Sequence, residues 1–173
     1  TLPDFANPTP IGPPFINQVA TKIIARPDGG FYLATLTGFP FLEGKATIYA
    51  ISTEGAVTPF KTGMSLITDL ALDPNTGDLY ALQLAKFSLQ TFGFAPNSSK
   101  ITRIKPDGST QIVAEGFGPA SGMALDQSGN LYVSETFAGR VLRFSHGVVE
   151  NSTAFFNENF NRGIPSTWSS VDS

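Results

Sequence analysis

The stretch Ser121–Phe144, SGMALDQSGNLYVSETFAGRVLRF, decides how the rest of the chain is read. A short apolar strand (Met123 to Leu125) runs into a polar turn (Asp126-Gln127-Ser128-Gly129-Asn130). A second strand (Leu131 to Ser134), a loop and a third strand (Arg140 to Phe144) follow. The pattern occurs twice more upstream, aligned on a tyrosine. Arg26 to Ala34 (RPDGGFYLA) matches Asp73 to Ala81 (DPNTGDLYA), and both match Asp126 to Val133 (DQSGNLYV). Tyr32 and Tyr80 lie 48 residues apart, Tyr80 and Tyr132 52.

Each tyrosine is followed by a second hairpin. Ala46 to Ile51 turns through Ser52-Thr53-Glu54-Gly55 into Ala56 to Phe60, and Lys100 to Ile104 turns through Lys105-Pro106-Asp107-Gly108 into Thr110 to Ala114. Arg140 to Phe144 turns through Ser145-His146-Gly147. Glycine after an acidic residue between apolar runs is a hairpin signal, because glycine reaches positive φ without a Cβ clash. Each repeat therefore reads as four short strands in roughly 50 residues, the size of a β-propeller blade. The expected fold is all-β, with three four-stranded blades at about residues 19–62, 63–116 and 117–156. Closed propellers have about four to eight blades, so three repeats do not close a ring alone.

Composition agrees. No long window places apolar residues at i, i+3, i+4 and i+7, so no helix is expected. A net charge of −3 with scattered basic residues argues against nucleic-acid or anionic-membrane partners. Cysteine is absent, which removes disulfide frameworks and thiolate metal sites. No run approaches the roughly 20 apolar residues of a membrane span. The chain starts at Thr1, without a signal peptide, and reads as a processed or truncated product.

Residues 1–18 carry five prolines and read as a linker. Two loops are unusually apolar: 36–44 (LTGFPFLEG), with Phe39 and Phe41, and 86–99 (KFSLQTFGFAPNSS), with Phe87, Phe92 and Phe94. They fall at the same place in their repeats and are expected to form one greasy face, either packed over a neighbouring blade or open to a partner. The tail, 157–173, breaks the repeat and carries the only tryptophan, Trp168, a further candidate contact.

Catalytic constellations are not found. His146 sits in a Ser-His-Gly turn, and no Gly-x-Ser-x-Gly elbow accompanies it. Residues 116–122 (GFGPASG) do not open a helix, as a dinucleotide loop must. Residues 73–78 (DPNTGD) start like a calcium loop, but the position for its closing glutamate holds Leu84. An Asx-turn role for Asp28, Asp73 and Asp126 fits better. By analogy with propeller lactonases of the gluconolactonase type, Asp69 and Glu135 are the candidates for a metal at a central channel. The repeats place Thr21, Asp69 and Gly122 equivalently, so no carboxylate ring is expected, and no cofactor. Asn97 and Asn151 lie in glycosylation sequons.

Val19-Ala20-Thr21, Pro27 to Tyr32, and above all Leu36-Thr37-Gly38-Phe39-Pro40-Phe41 resemble the ScyD/ScyE-type family of cyanobacterial secreted, NHL-like β-propellers. So do Ile67 to Leu72 and Ser121 to Ala124. The resemblance covers about residues 10–144. It implies a propeller outside the cytoplasm, of roughly six blades in full-length members, with this chain as the C-terminal half. The family is linked to synthesis of a sheath pigment, and no catalytic residue carries over. Residues 159–168 (NFNRGIPSTW) resemble the opening of a choice-of-anchor jelly-roll module of bacterial surface proteins.

The expectation is a non-enzymatic, extracellular or cell-surface (or periplasmic) structural protein. Its unshielded blades would pair with further copies, as a homo-oligomer or filament, or with a missing propeller half. Two other classes stay open: a lactonase or pigment-synthesis enzyme or accessory whose active site needs the missing half, and a carbohydrate- or matrix-binding module using the aromatic loops.

Overall fold

The computed structural model describes residues 2–145. His146, Asn151, Trp168, the end of the third repeat and the tail lie outside the described residues. Fifteen strands and no helix occur among the described residues.

The first blade is an antiparallel sheet of β3 (Gln18–Ala25), β4 (Phe31–Thr37), β5 (Ala46–Ile51) and β6 (Val57–Met64), in chain order. The second has β7 (Ile67–Leu72), β8 (Leu79–Gln83), β11 (Ser99–Ile104) and β12 (Thr110–Phe117), again in chain order. The third has β13 (Ala120–Leu125), β14 (Leu131–Glu135) and β15 (Arg140–Phe144), so three of its four expected strands are described. Two small ladders complete the inventory. β1 (Phe5–Ala6) pairs with β2 (Phe15–Ile16) inside the proline-rich start, and β9 (Phe87–Ser88) pairs with β10 (Gly93–Phe94) inside the second apolar loop.

The first strand of each blade is innermost, and β7 packs against both β3 and β13. Period-2 alternation then gives each sheet one face toward each neighbour. Tyr32, Ala34 and Ile48 of blade 1 share a core with Ile67, Leu70 and Leu79 of blade 2. Tyr80, Leu82 and Ile101 of blade 2 share the next core with Met123, Val133 and Leu142 of blade 3. Blade 2 is thus apolar on both faces and its β8 is buried throughout. The outer strands β6 and β12 are largely exposed. Pro59 on β6 offers no N–H there, which blunts that edge against stray pairing.

All three inner strands carry one extra residue at the same place. The ladder slips between Ala20 and Lys22, between Ile67 and Asp69, and between Ala120 and Gly122. The bulged residues are Thr21, Thr68 and Ser121. A bulge re-aims its side chain. The Thr21 hydroxyl donates to the Ile67 carbonyl (2.8 Å) and that of Thr68 to the Ala120 carbonyl (3.1 Å). Each bond links one blade to the next at the inner edge.

The turns hold the hairpins through aspartate side chains. The Asp73 carboxylate accepts the N–H of Asn75, that of Asp126 accepts the N–H groups of Ser128 and Asn130, and that of Asp28 accepts the N–H of Gly30. At Asp126 the Asn130 side chain and its N–H hold the carboxyl below its ordinary value of 3.8. At Asp73 burial works against ionisation, but the Asn75 N–H and the Thr76 hydroxyl outweigh it and also lower the pKa from 3.8. A carboxyl with a lowered folded-state pKa stabilises fully above its unfolded value and loses that contribution as pH falls through the folded value. Stability should therefore stay level from neutral pH to about 4 and fall below it. Urea midpoints against pH check this, and Asp126→Asn should flatten part of the acid limb.

Candidate functional site

Two regions hold the residues with chemical or binding potential: the inner edge, with Asp69 and Glu135, and a phenylalanine rim.

Asp69 follows the bulge of β7 and is 7% exposed. Its Oδ1 accepts the Leu70 N–H (2.8 Å) and faces Lys22 Nζ of β3 (2.9 Å), while its Oδ2 accepts the Met123 N–H of β13 (2.7 Å). One carboxylate therefore touches the inner strands of all three blades. Lys22 is partly exposed, so solvent screens that ion pair, and the bond to the buried Met123 amide is the stronger restraint. The register pairs Lys22 with Ala34, Asp69 with Leu82 and Gly122 with Ser134. By register, the residue equivalent to Asp69 in blade 1 is Lys22, not Thr21 as the sequence spacing implies. The turn from Asp73 to Asp78 is one residue longer than those from Arg26 to Gly30 and Asp126 to Asn130, which accounts for the difference.

Glu135 ends β14 and is 2% exposed. Its Oε1 accepts the Gly118 N–H and its Oε2 faces Arg140 Nε. The repeat explains this arrangement. Thr35, Gln83 and Glu135 are equivalent, because they pair with Ala20, Ile67 and Ala120. Gln83 Oε1 accepts the Ser65 N–H (2.9 Å), and Ser65 precedes β7 as Gly118 precedes β13. Thr35 donates to Gln18, two residues before Ala20 (3.1 Å). In blades 2 and 3 this position ties down the backbone entering the inner strand, a neutral glutamine doing so in blade 2, whereas Thr35 meets the Gln18 side chain and the Thr47 backbone of β5.

Both metal candidates are thus engaged by protein donors, and their partners differ. Among the described residues no group of three or more His, Asp or Glu side chains lies close enough to hold a metal ion. The calcium-like turn is also filled from within. Asp73 is held as described above, and Asp78 accepts from Thr76 and pairs with Arg103.

The two apolar loops converge on one rim. The Phe87 ring lies 5.0 Å from Phe41, 5.3 Å from Phe94 and 6.1 Å from Phe39, near the edge-to-face geometry aromatic rings favour. Phe92 stacks on Phe39 at 6.3 Å with 20° between planes. Phe39, Phe41, Phe87 and Phe94 are half-buried by one another, whereas Phe92 is 64% exposed. Phe41 and Phe92 adopt φ of 59° and 48°, a region costly for bulky side chains. The Phe39–Pro40 peptide is cis. The N-terminal ladder reaches the same rim, where Gly12 lies against the Phe39 ring.

A third feature escaped sequence reading. The face of blade 1 turned away from blade 2 carries Ile23, Phe31, Leu33, Ile51 and Val57, aligned by the β3–β4–β5–β6 register. Ile23 is 54% exposed, Phe31 42% and Val57 50%. At the loop end of this face, Gln18 bonds both the Tyr49 hydroxyl and the Pro3 carbonyl, so the N-terminal segment covers part of it.

No family model and no curated protein matches the sequence. Solved structures do. One is a gluconolactonase assigned provisionally, at TM-score 0.55 and 18% identity, covering 75% of this chain and 46% of that one. Another is a virginiamycin B lyase from Staphylococcus aureus, at TM-score 0.49 and 14% identity, covering 76% of this chain and 42% of that one. The first likeness shows a β-propeller-type fold. The chain spans less than half the length of either structure.

If Glu135 is a tether, Glu135→Gln keeps an acceptor for the Gly118 N–H and should cost about 1 kcal/mol, against about 2–3 kcal/mol for Glu135→Ala. Chemical denaturation measures both. Phe87→Ala should cost about 3 kcal/mol and Phe92→Ala less than about 1. Equal losses at the two positions would mean that Phe92 is packed like its neighbours.

Proposed function

We propose that this chain is a non-catalytic interaction module, a run of propeller blades whose open flank is its working surface. The observation that carries the reading is the outward face of blade 1, with Ile23, Phe31 and Val57 exposed on a sheet whose opposite face is buried. Contiguous apolar surface on a sheet face marks a contact site. The engagement of Asp69 and Glu135 by backbone and cationic donors supports a structural rather than a chemical use of the inner edge.

Membership of the ScyD/ScyE-type family, and with it an extracellular or cell-surface setting, belongs to the same proposal. Its support is the Leu36 to Phe41 sequence together with the propeller-type fold. The phenylalanine rim favours a second reading, a carbohydrate- or matrix-binding module, because Phe92 offers an open ring on a packed base. Binding to a matrix polysaccharide that is lost in folded Phe92→Ala would favour it.

The open-flank reading is tested with an environment-sensitive apolar dye. The chain should bind the dye or a partner through blade 1, and Ile23→Asp should abolish that binding while the far-ultraviolet spectrum stays unchanged. Lactone hydrolysis that requires added divalent cation and disappears in Asp69→Asn would overturn the reading in favour of an enzyme.

A further inference from the structure

The seam between consecutive blades has a direction. A bulged hydroxyl on one blade donates to a carbonyl on the next, from Thr21 to Ile67 and from Thr68 to Ala120. The acceptor is always the residue just before the next bulge. The series is incomplete at both ends of the described chain. Ser121, the third bulged residue, is exposed and accepts a bond from the Thr136 hydroxyl (3.0 Å). Ala20, which stands where Ile67 and Ala120 stand, is also exposed.

The sheet faces have the same polarity. The tyrosine side of each blade meets the following blade, as Tyr32 and Tyr80 do. The opposite side meets the preceding blade, as Ala81 and Val133 do. By alternation Tyr132 and Ala124 face away from blade 2, and Ala124 is exposed. Leu33 and Ile23 of blade 1 occupy the side that elsewhere receives a preceding blade. One chain thus presents a donor face at blade 3 and a receiving face at blade 1.

The geometry points to a second copy of this chain as the occupant of the open flank: blade 3 of each copy packs on blade 1 of the other, and each Ser121 hydroxyl donates to the other copy's Ala20 carbonyl. This rests on the open-flank reading and names its partner. A second copy carries both complementary faces, the tyrosine side of blade 3 and the receiving side of blade 1. A directional contact between identical chains closes when its rotation allows. The receiving face is apolar and uncharged along Ile23, Phe31, Leu33, Ile51 and Val57, so chains with a net charge of −3 each meet there without bringing like charges together.

Native mass spectrometry and sedimentation of the full chain should find a species of twice 18.4 kDa. Ser121→Ala should weaken it roughly fivefold per junction. Ile23→Asp, on the receiving face, and Ala124→Asp, on the donor face, should each give folded monomers with unchanged circular dichroism. Mixing these two variants should restore association, because one junction of the pair then has both native faces. A dimer that survives Ala124→Asp but not Ile23→Asp would mean that two blade 1 faces meet each other, and would overturn the ring. A ladder of masses growing with concentration would replace it with a filament. A wild-type monomer whose dye binding is lost in Ile23→Asp would overturn the second copy and leave the open-flank reading standing. A monomer that binds no dye would remove both.

Discussion

The structure depends on how three inner strands are held side by side without a ladder between them. Strands β3, β7 and β13 belong to different sheets, so no backbone pairing joins them. Their connection is made by side chains answering backbone groups. Thr21 and Thr68 reach carbonyls across the two seams, and Asp69 reaches the Met123 amide. Each bond contributes about 1 kcal/mol net, yet a buried amide left without its acceptor costs more than that. Apolar contact drives the sheets together. The inner bonds fix how far one sheet slides against the next, which apolar contact leaves loose because it is non-directional.

The bulge makes this possible. A regular strand would point residues 21, 68 and 121 into the faces between blades, where a hydroxyl would need a partner. The extra residue turns each of them toward the next inner strand. The same offset brings Lys22 and Asp69 into equivalent places, so a charge pair spans the first seam. In blade 3 the equivalent residue is Gly122, whose added Cβ would come within 2.9 Å of the Ser134 hydroxyl. A side chain at residue 122 would thus require the Ser134 hydroxyl to turn aside.

Much of this was legible in the sequence, and the limits have physical causes. The tyrosine repeat and its turns announced the blades, since glycine and aspartate are required locally by the turn itself. The convergence of Phe39 and Phe41 with Phe87, Phe92 and Phe94 followed from their shared place in two repeats. The bulges were not legible. They are a property of pairing between strands, and threonine or serine at 21, 68 and 121 carries no local mark of them. The match of Thr21 rather than Lys22 to Asp69 has another cause: the turn of the second repeat is one residue longer than the other two, which shifts any count made back from the tyrosines. The role of Glu135 was hidden for a related reason. Its equivalence to Thr35 and Gln83 emerges from register, while the three residues differ in size and charge. The exposed side of blade 1 was also invisible residue by residue, because alternation alone does not say which face has a neighbour.

The contrast between the two kinds of polar residue bears on what the fold is used for. A carboxylate that binds a cation or moves a proton needs a free lone pair aimed at open space. Asp69 turns one oxygen to Met123 and the other to Leu70 and Lys22, and Glu135 is divided between Gly118 and Arg140. Their acceptor capacity is directed at the protein's own backbone and cations. The unspent capacity lies elsewhere: in an exposed hydroxyl at Ser121, an exposed ring at Phe92 and the apolar side chains of blade 1. These groups stay open to contacts from outside the described residues. Among the described residues, the polar capacity of the inner edge is thus directed at holding strands in register.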